Sequence, residues 1–331
     1  MPVAKSLVVW SGHIPLGLAL VLWSSTIHAA ENVLKLPSDF RTVDDGRAAI
    51  QELYDSYAAL VDKGWILDVI VSSQPDGTSR ALPIFALRTS RTGPATWIIS
   101  GIHGEEPAGP NAIAGAIDEI AALGERQAVV LIPLANPHGY VRNWRYLNSP
   151  VWSETLEAQS VGDSSHMLAD ADNPRRARTA LASSPEAGAI THYIVESIAE
   201  YPPRISLDLH EDDKISAAYV YSQGQAGATD PFAVEAVRVL MENAIPIELD
   251  GYTRFDEKIT NGIIGPVMDS SIDELMSATQ VIDDGALQVG PAAPTVLVFE
   301  TPAANFPLAR RISAHAALLR RMIDVLSGAS N

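Results

Sequence analysis

The chain has 331 residues, is 47% hydrophobic, carries a formal net charge of −17 at pH 7 and contains no cysteine. Its apolar content supports a full core, and the acidic balance, with no run of Lys or Arg, excludes nucleic acid as a partner. Without cysteine there is neither a disulfide framework nor thiolate chemistry, so any metal must be held by His, Asp or Glu.

Residues 1–30 read as a secretory leader. Lys5 supplies positive charge, residues 14–23 form an apolar run, and residues 24–30 turn small and polar. The run falls short of the roughly 20 apolar residues of a membrane span, and cleavage is expected near Ala29 or Ala30. Residues 31–331 are then expected to be a single catalytic domain, exported to the periplasm or secreted, with no membrane attachment after leader removal.

Apolar residues at helical spacing predict a helix over residues 44–60. Short β-like runs at 65–71 and 83–87 flank the turn signal Pro75-Asp76-Gly77. A buried-type strand at 96–100 ends on Gly101, a helix is expected over 110–123, and the strand 127–134 stops at Asn136-Pro137. Residues 141–182 have little periodicity and are rich in Ser, Asp, Asn and Arg, the composition of a long functional loop. Helix 185–200, strands 205–209 and 217–222, and helix 230–243 follow; residues 260–289 are mixed, 295–299 is a last strand and 307–326 a closing helix. Strands alternating with helices predict an α/β sandwich around a mixed, largely parallel sheet, whose sites gather beyond the C-terminal strand ends.

The chemistry-bearing residues fall at those ends. His103-Gly104-Glu105-Glu106 follows strand 96–100. His103 and Glu106, three apart at a bend, can turn toward one point, and both residue types ligate zinc. The spacing alone is unspecific, since His28 and Glu31 repeat it inside the leader. A catalytic zinc keeps three protein ligands and one open position, and His210, ending strand 205–209, is the candidate third. Asp208 lies on the same strand face, as a partner for a ligand histidine or as a buried structural carboxylate. Glu300, at the tip of the last strand, is suited to take a proton from a metal-bound water and pass it to a leaving amine. Arg142 and Arg145 follow the turn Asn136-Pro137-His138-Gly139-Tyr140, and a second basic cluster runs Asn173-Pro174-Arg175-Arg176. Guanidinium groups in such loops polarise a scissile carbonyl or clamp a carboxylate.

Taken in order, these pieces resemble the carboxypeptidase A-like zinc carboxypeptidase family. Its order of His-x-x-Glu, Asn-Pro-x-Gly-Tyr, Arg-x-Trp-Arg, a loop with Asn-Arg, a strand-end His and a strand-end Glu is matched over about two thirds of the chain. The resemblance implies a three-layer α/β/α sandwich and one zinc ion on His103, Glu106 and His210. It also implies Glu300 as general base, Arg145 as the carbonyl-polarising arginine, and Asn173, Arg175 and Arg142 as contacts to the substrate carboxylate. The reaction it implies is hydrolysis of a C-terminal peptide bond, which in exported bacterial relatives often trims peptidoglycan stem peptides. Two features depart from the pattern. Pro174 interrupts the Asn-Arg pair, and residues 260–299 contain no tyrosine to match the family's mobile lid, with Tyr252 the nearest substitute. They leave open an N-acyl amino acid deacylase, as in the largely cytoplasmic succinylglutamate desuccinylase and aspartoacylase branch, which shares the zinc centre. A protein that binds zinc or peptide without turnover is a third alternative, which the retention of Glu300 and Arg145 opposes.

Overall fold

The computed structural model describes residues 43–73, 81–145 and 184–328; the leader, the turn signal at 75–77 and the cluster containing Asn173 and Arg175 lie outside them. Helix α1 (Ile50–Asp62) leads into β1 (Ile66–Ser73), β2 (Leu82–Arg88) and β3 (Ala95–Ser100). Helices α2 (Ala108–Gly115) and α3 (Ile117–Arg126) precede β4 (Ala128–Ile132) and the short α4 (Pro137–Arg142). Helix α5 (Pro185–Ser197), β5 (Pro203–Asp212), β6 (Tyr219–Ser222) and α6 (Pro231–Glu242) follow. Three short strands come next: β7 (Asp250–Tyr252), β8 (Lys258–Thr260) and β9 (Ile263–Ile264). Helix α7 (Ile272–Ser277), β10 (Gln280–Asp283), β11 (Ala286–Val289), β12 (Thr295–Pro302) and α8 (Leu308–Leu326) complete the described fold.

Ten strands form one mixed sheet in the order β1-β2-β4-β3-β5-β12-β6-β9-β8-β7, and β10 and β11 pair separately. The centre, β4-β3-β5-β12, is parallel throughout, whereas β2 joins β4 and β6 joins β12 antiparallel. Continuous burial along β3 and β4 reflects helices on both faces, the condition under which a strand reads as an unbroken apolar run. On one face Ile205, Leu207 and Leu209 of β5 pack with residues of α1, α2, α6 and α8; the other face is closed by Ile190 and Ile194 of α5 and Leu275 of α7. Side chains alternate along a strand, so Asp208 and His210 face away from those leucines.

Three local differences from the sequence expectation have physical causes. The first helix starts at Ile50 rather than residue 44, because Arg47 is drawn inward to accept a clamping role described below and leaves the backbone at Ala49 extended. The helix expected over 110–123 is two helices, broken at Ala116. Gly115 weakens the interior there, and Asp118 and Glu119 favour a fresh helix N-terminus. Asn136-Pro137 ends a strand and also starts α4: Asn136 Oδ1 accepts from the Gly139 N–H at 2.8 Å, and proline suits the first helical position.

Candidate active site and metal centre

The site is built where β3, β5 and β12 end side by side. Beyond Ser100, Gly101 adopts φ +67° and turns the chain into the His103–Glu106 loop. That loop lies against α4 so closely that a Cβ at Gly104 would fall 2.0 Å from the Gly139 carbonyl carbon. Arg47, buried beneath it, donates to the Gly104 carbonyl at 3.0 Å and to the Tyr140 carbonyl and Asn143 Oδ1, tying the loop to the end of α4. Asn136 Nδ2 adds a bond to the Ile102 carbonyl at 3.3 Å. The first two candidate ligands are thus fixed by backbone packing.

His210 arrives from β5 on the parallel register that sets it opposite Glu300 of β12. His103, Glu106 and His210 are all buried, and one potential ligand atom from each lies within 4.8 Å of the others. His103 Nδ1 is 2.6 Å from Glu106 Oε1, and His210 Nδ1 is 3.2 Å from both Glu106 Oε2 and His103 Nδ1. Ligands about 2.0–2.1 Å from a tetrahedral zinc stand roughly 3.3 Å apart, so the two 3.2 Å separations suit that ion, while the 2.6 Å His103–Glu106 separation is a direct contact between the two groups. On the other edge of the ring, His210 Nε2 is 3.2 Å from Asp208 Oδ2, which sets a buried carboxylate against the edge away from the ligand point. Asp273 of α7 brings a second carboxylate to that edge.

The electrostatics follow from burial. Desolvation works against a charged His210, but Asp208 and Glu106 outweigh it and raise the imidazole well above its ordinary range. Desolvation also opposes ionisation of Glu106, yet His103 and His210 hold it well below the usual carboxylate value. Glu300 is pushed up to about 8, by desolvation first, with His210 acting against the rise and Glu106 and Asp212 adding to it. Glu106 is supported from behind: Glu211 N–H donates to its Oε2 at 2.9 Å, and Glu211 is itself held by Ala108 N–H and Arg311. Beside this, His315 Nε2 lies 2.9 Å from Thr301 Oγ1, and burial lowers its pKa to about 3, keeping the ring neutral.

A cavity of about 870 Å³ opens over these groups, lined by Arg145, His210, Tyr219, Tyr221, Arg254 and Glu300 among others. Arg145 Nη1 lies 3.0 Å from Glu106 Oε1 and 3.1 Å from Glu105 Oε1. Arg142, by contrast, is exposed, with Nη1 3.4 Å from His138 Nδ1, and is not part of the cavity wall. Tyr252 is 68% exposed and also off the wall. Asn173 and Arg175 lie outside the described residues. Sequence reasoning missed Glu105, Tyr219 and Arg254. Tyr219 is the antiparallel register partner of Glu300, a placement set by strand pairing, and Arg254 comes from a hairpin with no ligand-like motif.

Comparison with known proteins shows the family and the fold. The zinc carboxypeptidase family model matches residues 64–284, 221 of the 331, a span that contains His103, Glu106, Arg145 and His210 and ends before Glu300. No curated protein matches the sequence. A Shewanella amazonensis protein assigned as a metallopeptidase superposes with a TM-score of 0.64 at 21% identity, covering 84% of this chain and 93% of its own. A Shewanella denitrificans protein of the same assignment gives 0.63 at 21% identity, covering 88% and 98%. Carboxypeptidase A of Helicoverpa armigera gives 0.54 at 15% identity, covering 95% and 81%. These likenesses establish the three-layer fold around a mixed, mostly parallel sheet.

Proposed function

The chain belongs to the zinc carboxypeptidase family, and we propose that it removes C-terminal residues from peptides after export by the leader at residues 1–30, with peptidoglycan stem peptides among its substrates. By family and fold it is a hydrolytic enzyme of the metallopeptidase kind. The observation that supports the finer reading is the grouping of His103, Glu106 and His210 at the edge of a cavity that His210, Glu300 and Arg145 line.

A zinc ion held by His103, Glu106 and His210 supplies Lewis acidity and an acidified water. The chain's own groups do the rest. Asp208 sets a buried carboxylate against the Nε2 edge of His210, away from the ligand point. Glu300 accepts the proton of the attacking water on its carboxylate and returns it to the leaving nitrogen, a transfer suited to a carboxylate whose pKa is raised toward neutrality. Arg145 offers N–H donors where negative charge gathers on the carbonyl oxygen.

The missing tyrosine in residues 260–299 favours a second reading, hydrolysis of N-acyl amino acids on the same centre. One experiment separates the two. The mature chain, loaded with zinc, is offered ordinary peptides, stem peptides and N-acyl amino acids, and products are read by mass spectrometry. Chelator-sensitive release of a C-terminal residue is expected. Release of a free acyl acid supports the deacylase instead, and zinc binding without any cleavage leaves a non-catalytic binder.

A further inference from the structure

Glu106 is held from two sides. Arg145 draws its Oε1 toward the cavity at 3.0 Å. From behind, the backbone N–H of Glu211 donates to its Oε2 at 2.9 Å, on the side where that oxygen stands 3.2 Å from His210 Nδ1. The side chain of Glu211 reaches two residues further along the ligand loop, where the Ala108 N–H donates to its Oε2 at 2.8 Å. One residue of β5 thus grips the loop twice, and the residue before it is His210.

Side chains alternate along a strand, so Glu211 points to the face of the sheet opposite His210. There it is buried at the start of α2. Pro107, at the N-terminal boundary of that helix, offers no side-chain cap. The Glu211 carboxylate takes this role from another strand, at a helix end whose free N–H groups favour negative charge. A buried carboxylate also needs a cation, and Arg311 near the start of α8 supplies it. Its Nη1 bonds Glu211 Oε1, while Nε donates to the Phe306 carbonyl at 3.1 Å. One turn on, His315 lies 2.9 Å from Thr301, which follows Glu300 and is the register partner of Glu211. One face of α8 therefore braces the two strand ends that carry His210 and Glu300.

We propose that Arg311 and Glu211 are positioning residues of the metal centre: the pair keeps Glu106 in place beside His210 and so sets the affinity for zinc, with neither side chain a ligand. A ligand carboxylate already held at its far oxygen does not have to be withdrawn from Arg145 when the ion arrives, and such outer partners govern metal affinity. The inference deepens the metallopeptidase reading and rests on the zinc site that reading assigns.

The test is the zinc affinity of the mature chain, read by competition with a chromophoric chelator, so it needs no turnover. Arg311→Gln and Glu211→Gln are each expected to weaken zinc binding about 10- to 100-fold. Because the two act as one unit, the double variant is expected to lose about as much as either alone rather than the product of the two. Thr301→Val serves as the contrast. It removes a buried hydrogen bond to the same helix and leaves the Arg311–Glu211 pair in place. Its zinc-free form is expected to melt at a lower temperature while its zinc affinity stays native. Native affinity in folded Arg311→Gln and Glu211→Gln overturns the proposal, and so does an equal loss in Thr301→Val, which would mark a general loosening of the fold. Arg311→Gln leaves Glu211 buried without its cation; if that variant does not fold, the double variant, which removes both charges, decides, and native affinity there overturns the proposal. The peptidase reading fails separately: a native chain that binds zinc and cleaves no peptide leaves the expected order of affinities standing. A native chain that binds no zinc overturns both.

Discussion

A carboxylate sunk among other carboxylates ionises reluctantly, and Glu300 occupies such a place, its pKa pushed up to about 8 by burial with Glu106 and Asp212 nearby. Two consequences follow at this one residue. Glu300→Gln is expected to bind zinc with unchanged stoichiometry while turnover falls by about 10²–10⁴, the usual contribution of a positioned general base. His210→Ala loses both zinc and activity. The same shift links stability to pH in the metal-free protein. The folded state holds the proton up to about 8, whereas the unfolded carboxyl releases it near its ordinary value of 4.5, so the gain from neutrality is complete only below that lower value. Stability conferred at acid pH is therefore lost as pH rises from about 4.5 to 8. Urea midpoints measured across that window should fall less steeply in Glu300→Gln than in the native chain; parallel slopes would show that Glu300 titrates normally.

At the scale of elements, the candidate metal centre depends on a loop wedged against α4. Gly104→Ala places a methyl group 2.0 Å from the Gly139 backbone, where no flexible side chain can yield. We expect it to destabilise the fold by about 2 kcal/mol or more and to weaken zinc binding, because His103 and Glu106 flank the displaced residue. Asp230→Ala serves as the contrast. Asp230 caps α6, accepting from Phe232 N–H at 2.8 Å, and also accepts from Thr295 Oγ1. Its loss should cost about 1 kcal/mol and leave kcat/KM intact. Thermal melts beside zinc titrations distinguish the two. A Gly104→Ala protein with native zinc affinity would show that the close packing does not position the ligands.

The whole molecule is a sheet whose centre is buried on both faces and whose ligands come from two separate parts of the chain. His103 and Glu106 follow β3, while His210 lies two residues before the end of β5, about a hundred residues later. The three groups come together only in the folded chain, so an ion held by them would bind the folded state alone and stabilise it by mass action. At a zinc concentration a hundredfold above Kd the gain is about 2.7 kcal/mol. Scanning calorimetry should therefore show a melting temperature that climbs with zinc and drops with chelator, a dependence absent in His103→Ala.

How much of this could be read from the sequence differs by kind of residue. His210 and Glu300 were legible as candidates because a polar group at the end of a predicted strand is poorly explained by packing; the His103–Glu106 spacing was unspecific alone, and the order of the pieces along the chain carried the family. Two of the central strands were legible because burial on both faces leaves a continuous hydrophobic signature in β3 and β4, whereas β5 alternates apolar and polar residues. Helix α4 was obscured because Asn-Pro serves equally as a stop and as a cap. Tyr219 and Arg254 carried no local signal at all. Periodicity reports how each segment meets the core, and so the sequence by itself determined the layers and the groups able to hold a metal. Which strand lies beside which, and at what register, is decided by hydrogen bonds between segments far apart in the chain. Only that pairing set Glu300 opposite His210, put Tyr219 beside it and brought the Arg254 hairpin to the cavity wall.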